Sequence, residues 1–157
     1  MVSTKILIAG GAVDWGHIEP LHYITPTITN AFSIISGDPS NITDFDKSTY
    51  VEYDTQASND MFVTYDLGSV RRYSQISIKY GRWCILSPTA QWSGAVEISK
   101  DGSTWTPVLE LPATASTEEE IIDTTVTGCY EFRYIRIRTP RTNCAMRHRF
   151  YHFEVKP

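Results

Sequence analysis

The stretch Phe132-Arg133-Tyr134-Ile135-Arg136-Ile137-Arg138 interleaves bulky apolar side chains with arginines over seven consecutive residues. On a helix such a run would scatter guanidinium groups around the whole circumference. On a strand, successive side chains point to opposite faces, so one face is buried and the other is wet. The same signature recurs in Met61-Phe62-Val63-Thr64-Tyr65-Asp66-Leu67, Gln75-Ile76-Ser77-Ile78-Lys79-Tyr80 and Ala95-Val96-Glu97-Ile98-Ser99. Phe150-Tyr151-His152-Phe153-Glu154-Val155 closes the chain in the same manner. Helical periodicity is scarce. Turn chemistry separates the runs: Leu67-Gly68-Ser69, Lys100-Asp101-Gly102-Ser103, and Pro88, Pro107, Pro112 and Pro140, residues that punctuate strands. Ala113 to Glu120 reads as an exposed loop or one short helical turn. The expectation is an all-β, antiparallel sandwich or barrel.

A chain of 157 residues fits one domain around one core. Charge is unevenly spread along it. Residues 1–70 carry two basic and nine acidic side chains, residues 71–129 five and seven, and residues 130–157 seven and two. Either the basic end steers an anionic ligand or the two ends neutralise each other across the fold. The net charge of −4 argues against nucleic-acid partners, whose binding rests on many phosphate contacts. Cys84, Cys129 and Cys144 make an odd count without a CxxC pair, so neither a fully paired framework nor a zinc site of the usual spacing is expected. The opening residues are too short an apolar run for a membrane span and make a poor signal peptide.

Several motifs are decoys. Ile6-Leu7-Ile8-Ala9-Gly10-Gly11 looks like the first strand of a dinucleotide fold, but the full glycine fingerprint and the following helix are absent. His17, His22, His148 and His152 are not at metal-ligand spacing on a common face. No serine sits in a nucleophile elbow, and no nucleophile appears with a base and an orienter. No catalytic residue is expected, so the chain reads as a binder and not an enzyme. Asn41-Ile42-Thr43 matches the glycosylation sequon, which matters only in a eukaryotic secretory setting.

One loop is rich in oxygen: Asn41-Ile42-Thr43-Asp44-Phe45-Asp46-Lys47-Ser48-Thr49. By spacing alone it is a solvated acidic turn or a hard-cation site, but not an EF-hand. Its neighbours downstream sharpen this. Thr43-Asp44-Phe45-Asp46-Lys47-Ser48-Thr49-Tyr50 is followed in order by Val63-Thr64-Tyr65-Asp66-Leu67-Gly68 and by Val96-Glu97-Ile98-Ser99-Lys100-Asp101-Gly102-Ser103-Thr104-Trp105. Arg133-Tyr134-Ile135-Arg136-Ile137 and Phe153-Glu154-Val155 complete the series. From about residue 40 onward the chain resembles the discoidin family, the factor V/VIII C-type domains and family-32 carbohydrate-binding modules. The N-terminal residues to about 40, with Trp15 and His17, form an extension outside that resemblance.

The resemblance implies a galactose-binding-like fold, an eight-stranded jelly-roll-like β-sandwich. It implies a structural Ca2+ held by Asp44, Thr49 and Glu154, with Asn41, Asp46 and Phe153 contributing mainly backbone carbonyls. Phe45 stands where the family has glycine, and an aromatic residue is strained there if the position has φ > 0. Asp101-Gly102 and Trp105 read as a hairpin turn and its packing residue. The ligand is expected on loops at one end of the sandwich, with Trp83 and Trp92 as aromatic platforms. Arg82, Arg141, Asn143, Arg147 and His148 are the candidate polar contacts, and Cys84 and Cys144 fall in the same loops, where they are candidates to pair. The expected partner is a glycan or glycoprotein in an extracellular or surface-associated setting. Two other readings stay open: a protein-interaction or assembly module of a cell surface or virion, and binding to an anionic membrane surface.

Overall fold

Eight strands account for almost all the regular structure in a computed structural model of the protein, which describes residues 24–29, 33–55, 60–84, 93–112, 116–139 and 146–157. They are β1 (Thr27–Thr29), β2 (Ser33–Ser36), β3 (Val51–Thr55), β4 (Met61–Cys84), β5 (Gly94–Ser99), β6 (Thr106–Leu111), β7 (Glu120–Thr139) and β8 (Met146–Lys156). A short 3-10 helix, Pro39–Ile42, precedes β3. Among the described residues no helix is long and apolar enough to cross a membrane. The pairings among the described strands are all antiparallel.

Two strands are far longer than the others, and they organise the sandwich. β4 spans 24 residues and β7 spans 20. Met61 to Asp66 of β4 lie between β1 and the C-terminal half of β7, to which β5 and then β6 are added. Gln75 to Cys84 lie between the N-terminal half of β7 and β8, and β3 and β2 follow β8. One layer is therefore β1-β4-β7-β5-β6 and the other β2-β3-β8-β4-β7, with β4 and β7 passing through both. The Asp-Leu-Gly element expected to end a strand is instead a corner within β4. Gly68 there has φ 78°, a conformation open to glycine at no steric cost. Asp66 Oδ1 accepts from the Gly68 N–H at 2.8 Å. Arg133 locks the corner to β7 by donating from Nε and Nη2 to the two Asp66 oxygens at 2.7 and 2.8 Å.

The core fills the space between the layers. Val63, Tyr65, Val96, Ile135 and Ile137 come from the first, and Val51, Tyr53, Ile76, Ile78, Phe150 and Phe153 from the second. Tyr65 meets Phe153 across the gap, ring centroids 5.6 Å apart, and Tyr73 stacks on Phe132 at 4.4 Å beside the corner. Fully burying each such side chain contributes about 1.5–3 kcal/mol. Two strands break strict alternation. In β7, Phe132 points inward and so does Ile135, with Arg133 and Tyr134 both half-buried between them, opposite the β4 register shift. In β8 the register shifts from Lys79–His152 to Tyr80–Phe150, so Tyr151 is an extra residue, a bulge. The bulge lets both Phe150 and Phe153 face the core. Pro107 lies inside β6, not between strands, and is tolerated there because β6 is an edge strand.

Candidate functional site

The end of the second layer brings four of the predicted ligand contacts together. Register pairs Arg82 with His148 and Trp83 with Arg147. Alternation then splits them between two faces. Arg82 and His148 point into the sandwich, and Trp83 and Arg147 point out.

His148 is 1% exposed. Its ring stacks on Tyr80, centroids 5.7 Å apart, and its Nδ1 shares a hydrogen bond with the Tyr80 hydroxyl. Burial, reinforced by the Arg82 charge, pushes His148 down to about 3, so it is neutral at pH 7. Burial also raises the Tyr80 phenol well above its ordinary value. His148 Nε2 is buried with no hydrogen-bond partner among the described residues. Arg82, its side chain 5% exposed, reaches to 3.6 Å from Glu120 Oε2. These two are placed at the floor of the sandwich end and not on an open surface.

The outward face carries an interlocked set of ion pairs and rings. Glu52 accepts from Arg147 Nη1 at 2.7 Å and from Arg149 Nε at 2.9 Å, with its own side chain only 7% exposed. Arg149 Nη1 donates to Glu119 at 2.9 Å, and the Tyr151 hydroxyl donates to the other Glu119 oxygen at 2.8 Å. The Arg149 guanidinium lies 4.7 Å from the Trp83 ring centre and 4.6 Å from that of Tyr50. Held by two carboxylates, Arg149 sits well above its ordinary pKa even though burial opposes its charge. Trp83 is thus a half-buried ring braced on one side by a fixed cation. Sequence reasoning missed Tyr50, Glu52, Glu119, Arg149 and Tyr151. Period-2 spacing from Arg147 puts Arg149 on the same face, but nothing in the sequence joins β3 to β8. Trp92, Arg141, Asn143 and Cys144, with its suggested pairing to Cys84, lie outside the described residues; Cys129 is a free, exposed cysteine.

The oxygen-rich loop folds around its own side chains. Asp38 caps the 3-10 helix by accepting from the Ser40 N–H at 2.8 Å. Asn41 Nδ2 donates to the Tyr50 carbonyl at 2.9 Å. Asp44 Oδ1 accepts from the Asp46 N–H at 2.8 Å. Thr49 Oγ1 lies 2.6 Å from Asp44 Oδ2 and 2.9 Å from the Asp46 carbonyl. Asp46 Oδ1 accepts from the Ser48 N–H and hydroxyl, which holds its carboxyl below the usual range. Phe45 has φ 65°, the left-handed conformation that the glycine at that family position would take without strain. Lys79 Nζ ties the loop to β4 by donating to the Lys47 carbonyl at 3.0 Å. The donors that converge are a carboxylate, a hydroxyl and a carbonyl, a set that suits a hard cation in kind. Glu154 lies 3.1 Å from Lys156 Nζ and 3.7 Å from His152 Nε2, and the Phe153 side chain belongs to the core. Among the described residues no group of three His, Cys, Asp or Glu side chains is gathered for a metal.

The described arginines of residues 130–157 favour the second reading of the charge distribution. Arg133, Arg136, Arg138, Arg147 and Arg149 each pair with a carboxylate from earlier in the chain: Asp66, Glu97, Asp60, Glu52 or Glu119. Among the described residues, the arginines of the basic end are met across the sheets by carboxylates of both earlier segments.

A two-layer antiparallel sandwich with long strands and a braced aromatic end defines a β-sandwich module of the galactose-binding-like kind. The F5/8 type C domain model matches residues 28–150, and the chain belongs to that family. No curated protein matches. Among solved structures, chitosan-binding module 1 of a chitosanase/glucanase from Paenibacillus sp. IK-5 is 19% identical, with TM-score 0.54, over 87% of this chain and 98% of that one. The module CpGH89CBM32-4 produced by Clostridium perfringens, in complex with GlcNAc-alpha-1,4-galactose, is 18% identical with TM-score 0.55, over 85% and 91%. At these identities the likeness is one of fold.

Proposed function

We propose that this domain is a non-catalytic carbohydrate-binding module that holds a glycan at the β4–β8 end of the sandwich, in an extracellular or surface-associated setting. The observation that carries the reading is Trp83. Its ring is braced by Arg149, which is itself fixed by Glu52 and Glu119. An aromatic plane held rigid at low entropic cost is what stacking against a sugar ring requires. Family membership and the sugar-binding modules that share the fold support the reading. A glycan array tests it: the protein is expected to retain a defined set of glycans, and Trp83→Ala together with Trp92→Ala to weaken or lose retention of part of that set. Binding unchanged in the double variant assigns the ligand elsewhere.

The same reading includes a structural calcium on the 41–49 loop. Asp44, Thr49 and the Asp46 carbonyl would hold it, joined by Asn41, the Phe153 carbonyl and Glu154, with Glu154 leaving Lys156 to do so. The ion would supply a staple between the loop and β8. A ligand that binds only the folded state raises its melting temperature. Millimolar calcium added after chelation is therefore expected to raise Tm, and Asp44→Asn to remove the rise. An unchanged Tm in the native chain counts against the metal.

A further inference from the structure

The outer face of the first layer carries a trough that is separate from the β4–β8 end. Register lays its floor out in rows across the strands. Thr27, Thr64, Arg136 and Glu97 form one row, and Asp66, Tyr134 and Ser99 the next. Thr29 and Phe62 begin a third. β1 walls one side, and the turn that carries Asp101, Gly102 and Trp105 walls the other. The trough encloses about 590 Å³, within the range of roughly 300–1,000 Å³ typical of small-ligand clefts.

Its lining is unusual for the wet side of an antiparallel sheet, where alternation calls for polar residues. Phe62, Trp105 and Tyr134 all lie there half-buried. Arg136 is clamped between Phe62 and Trp105, its guanidinium 4.3 Å and 3.9 Å from their ring centres. The charges on the trough floor are ion-paired, and Asp101 on its wall is held by neutral donors. Arg136 Nε donates to Glu97 at 2.7 Å, Asp66 holds Arg133 through both oxygens, and Asp101 accepts from the backbone of Ser103 and Thr104 at 2.8 Å. The groups left to bind a guest are neutral: ring faces and edges, and the hydroxyls of Thr27, Thr29, Thr64 and Tyr134, which both donate and accept.

We propose that this trough is a second binding site, for a short neutral oligosaccharide laid along β1 and β4. A guest with apolar C–H faces and many uncharged hydroxyls matches the lining. An anion would meet Arg136 already paired with Glu97 and two carboxylates, Asp66 and Asp101, in the same lining. The inference does not rest on the β4–β8 end being a glycan site.

The test is an NMR titration of the full chain with neutral gluco-, xylo- and manno-oligosaccharides, six units long, joined to affinity electrophoresis in the matching polysaccharides. The expected result is amide shifts at Thr29, Thr64 and Tyr134 and at the Trp105 indole for at least one series. Retardation in the gel is expected to weaken tenfold or more in Thr29→Arg, which fills the trough from an exposed edge position. Trp105→Ala risks the hairpin, so Tyr134→Phe, which deletes one hydroxyl, serves as the milder second variant and is expected to weaken binding. Shifts confined to Trp83, Arg147 and their neighbours would overturn the trough while supporting the end site. The absence of shifts with all three series would also overturn it, as would undiminished retardation in both trough variants.

Discussion

His148 is a titratable residue turned to a structural task. Its ring lies flat against Tyr80 in the core, so protonating it means placing a second cation beside Arg82 in a place water does not reach. The folded-state pKa is about 3, against about 6.5 in an unfolded chain. Between those values the unfolded state binds a proton that the folded state refuses, so stability falls as pH drops through this window. His152, also lowered by burial, acts in the same direction. The urea midpoint is expected to decline from pH 7 toward pH 4, and His148→Gln to flatten part of that decline. Equal slopes in the two proteins would mean that His148 charges freely in the fold. From sequence alone His148 reads as a ligand contact, because it falls at the end of the polar segment from Thr139 that the resemblance places among the end loops. What the sequence does not reveal is the phase of the strand: one step of alternation decides whether a side chain meets solvent or core.

At the scale of single elements, β8 shows what alternation predicts and where it fails. Its existence and a common face for Phe153 and Val155 were legible from period-2 spacing, while the burial of Phe150 beside them was not. The bulge at Tyr151 was not, since a bulge depends on the partner strand and not on the sequence that carries it. The consequence lies in the core: Arg149 and Tyr151 keep the outward phase and meet Glu119, while the residues beyond the bulge change phase so that Phe153 joins Phe150 inside. The charged bracket around Glu52 makes a specific demand on this element. Removing one partner of a largely buried ion pair leaves the other uncompensated. Glu52→Gln is expected to cost about 2 kcal/mol, allowing for the quarter exposure of the two arginines. It is also expected to loosen Trp83, seen in urea unfolding and in weakened glycan retention. Glu119→Gln, more exposed, should cost less. A smaller loss in Glu52→Gln than in Glu119→Gln would contradict the bracket as drawn.

At the scale of the molecule, the all-β architecture and the order of its motifs were readable, because each rests on local spacing and turn chemistry. The pairing of acidic front with basic back was one of two readings, and only the sheet register favours it. The single corner-turning β4 was not readable. Its Asp-Leu-Gly step has the composition of a chain-reversing turn, and the difference lies in Arg133, 67 positions away. The end-loop platform is the least legible part, since its contacts join strands remote in sequence.

Because β4 and β7 belong to both layers, the sandwich has no seam along which one sheet can peel from the other. Opening either layer strips hydrogen bonds from a ladder that the second layer also uses. Protection against amide exchange should therefore be uniform: Val63 in one layer and Ile78 in the other are expected to exchange with the same opening free energy, equal to that of global unfolding. A protection factor roughly tenfold lower in one layer, about 1.4 kcal/mol, would reveal two separable units. A module built this way stays shut or comes apart whole, so a guest on either face meets a surface that does not yield in halves.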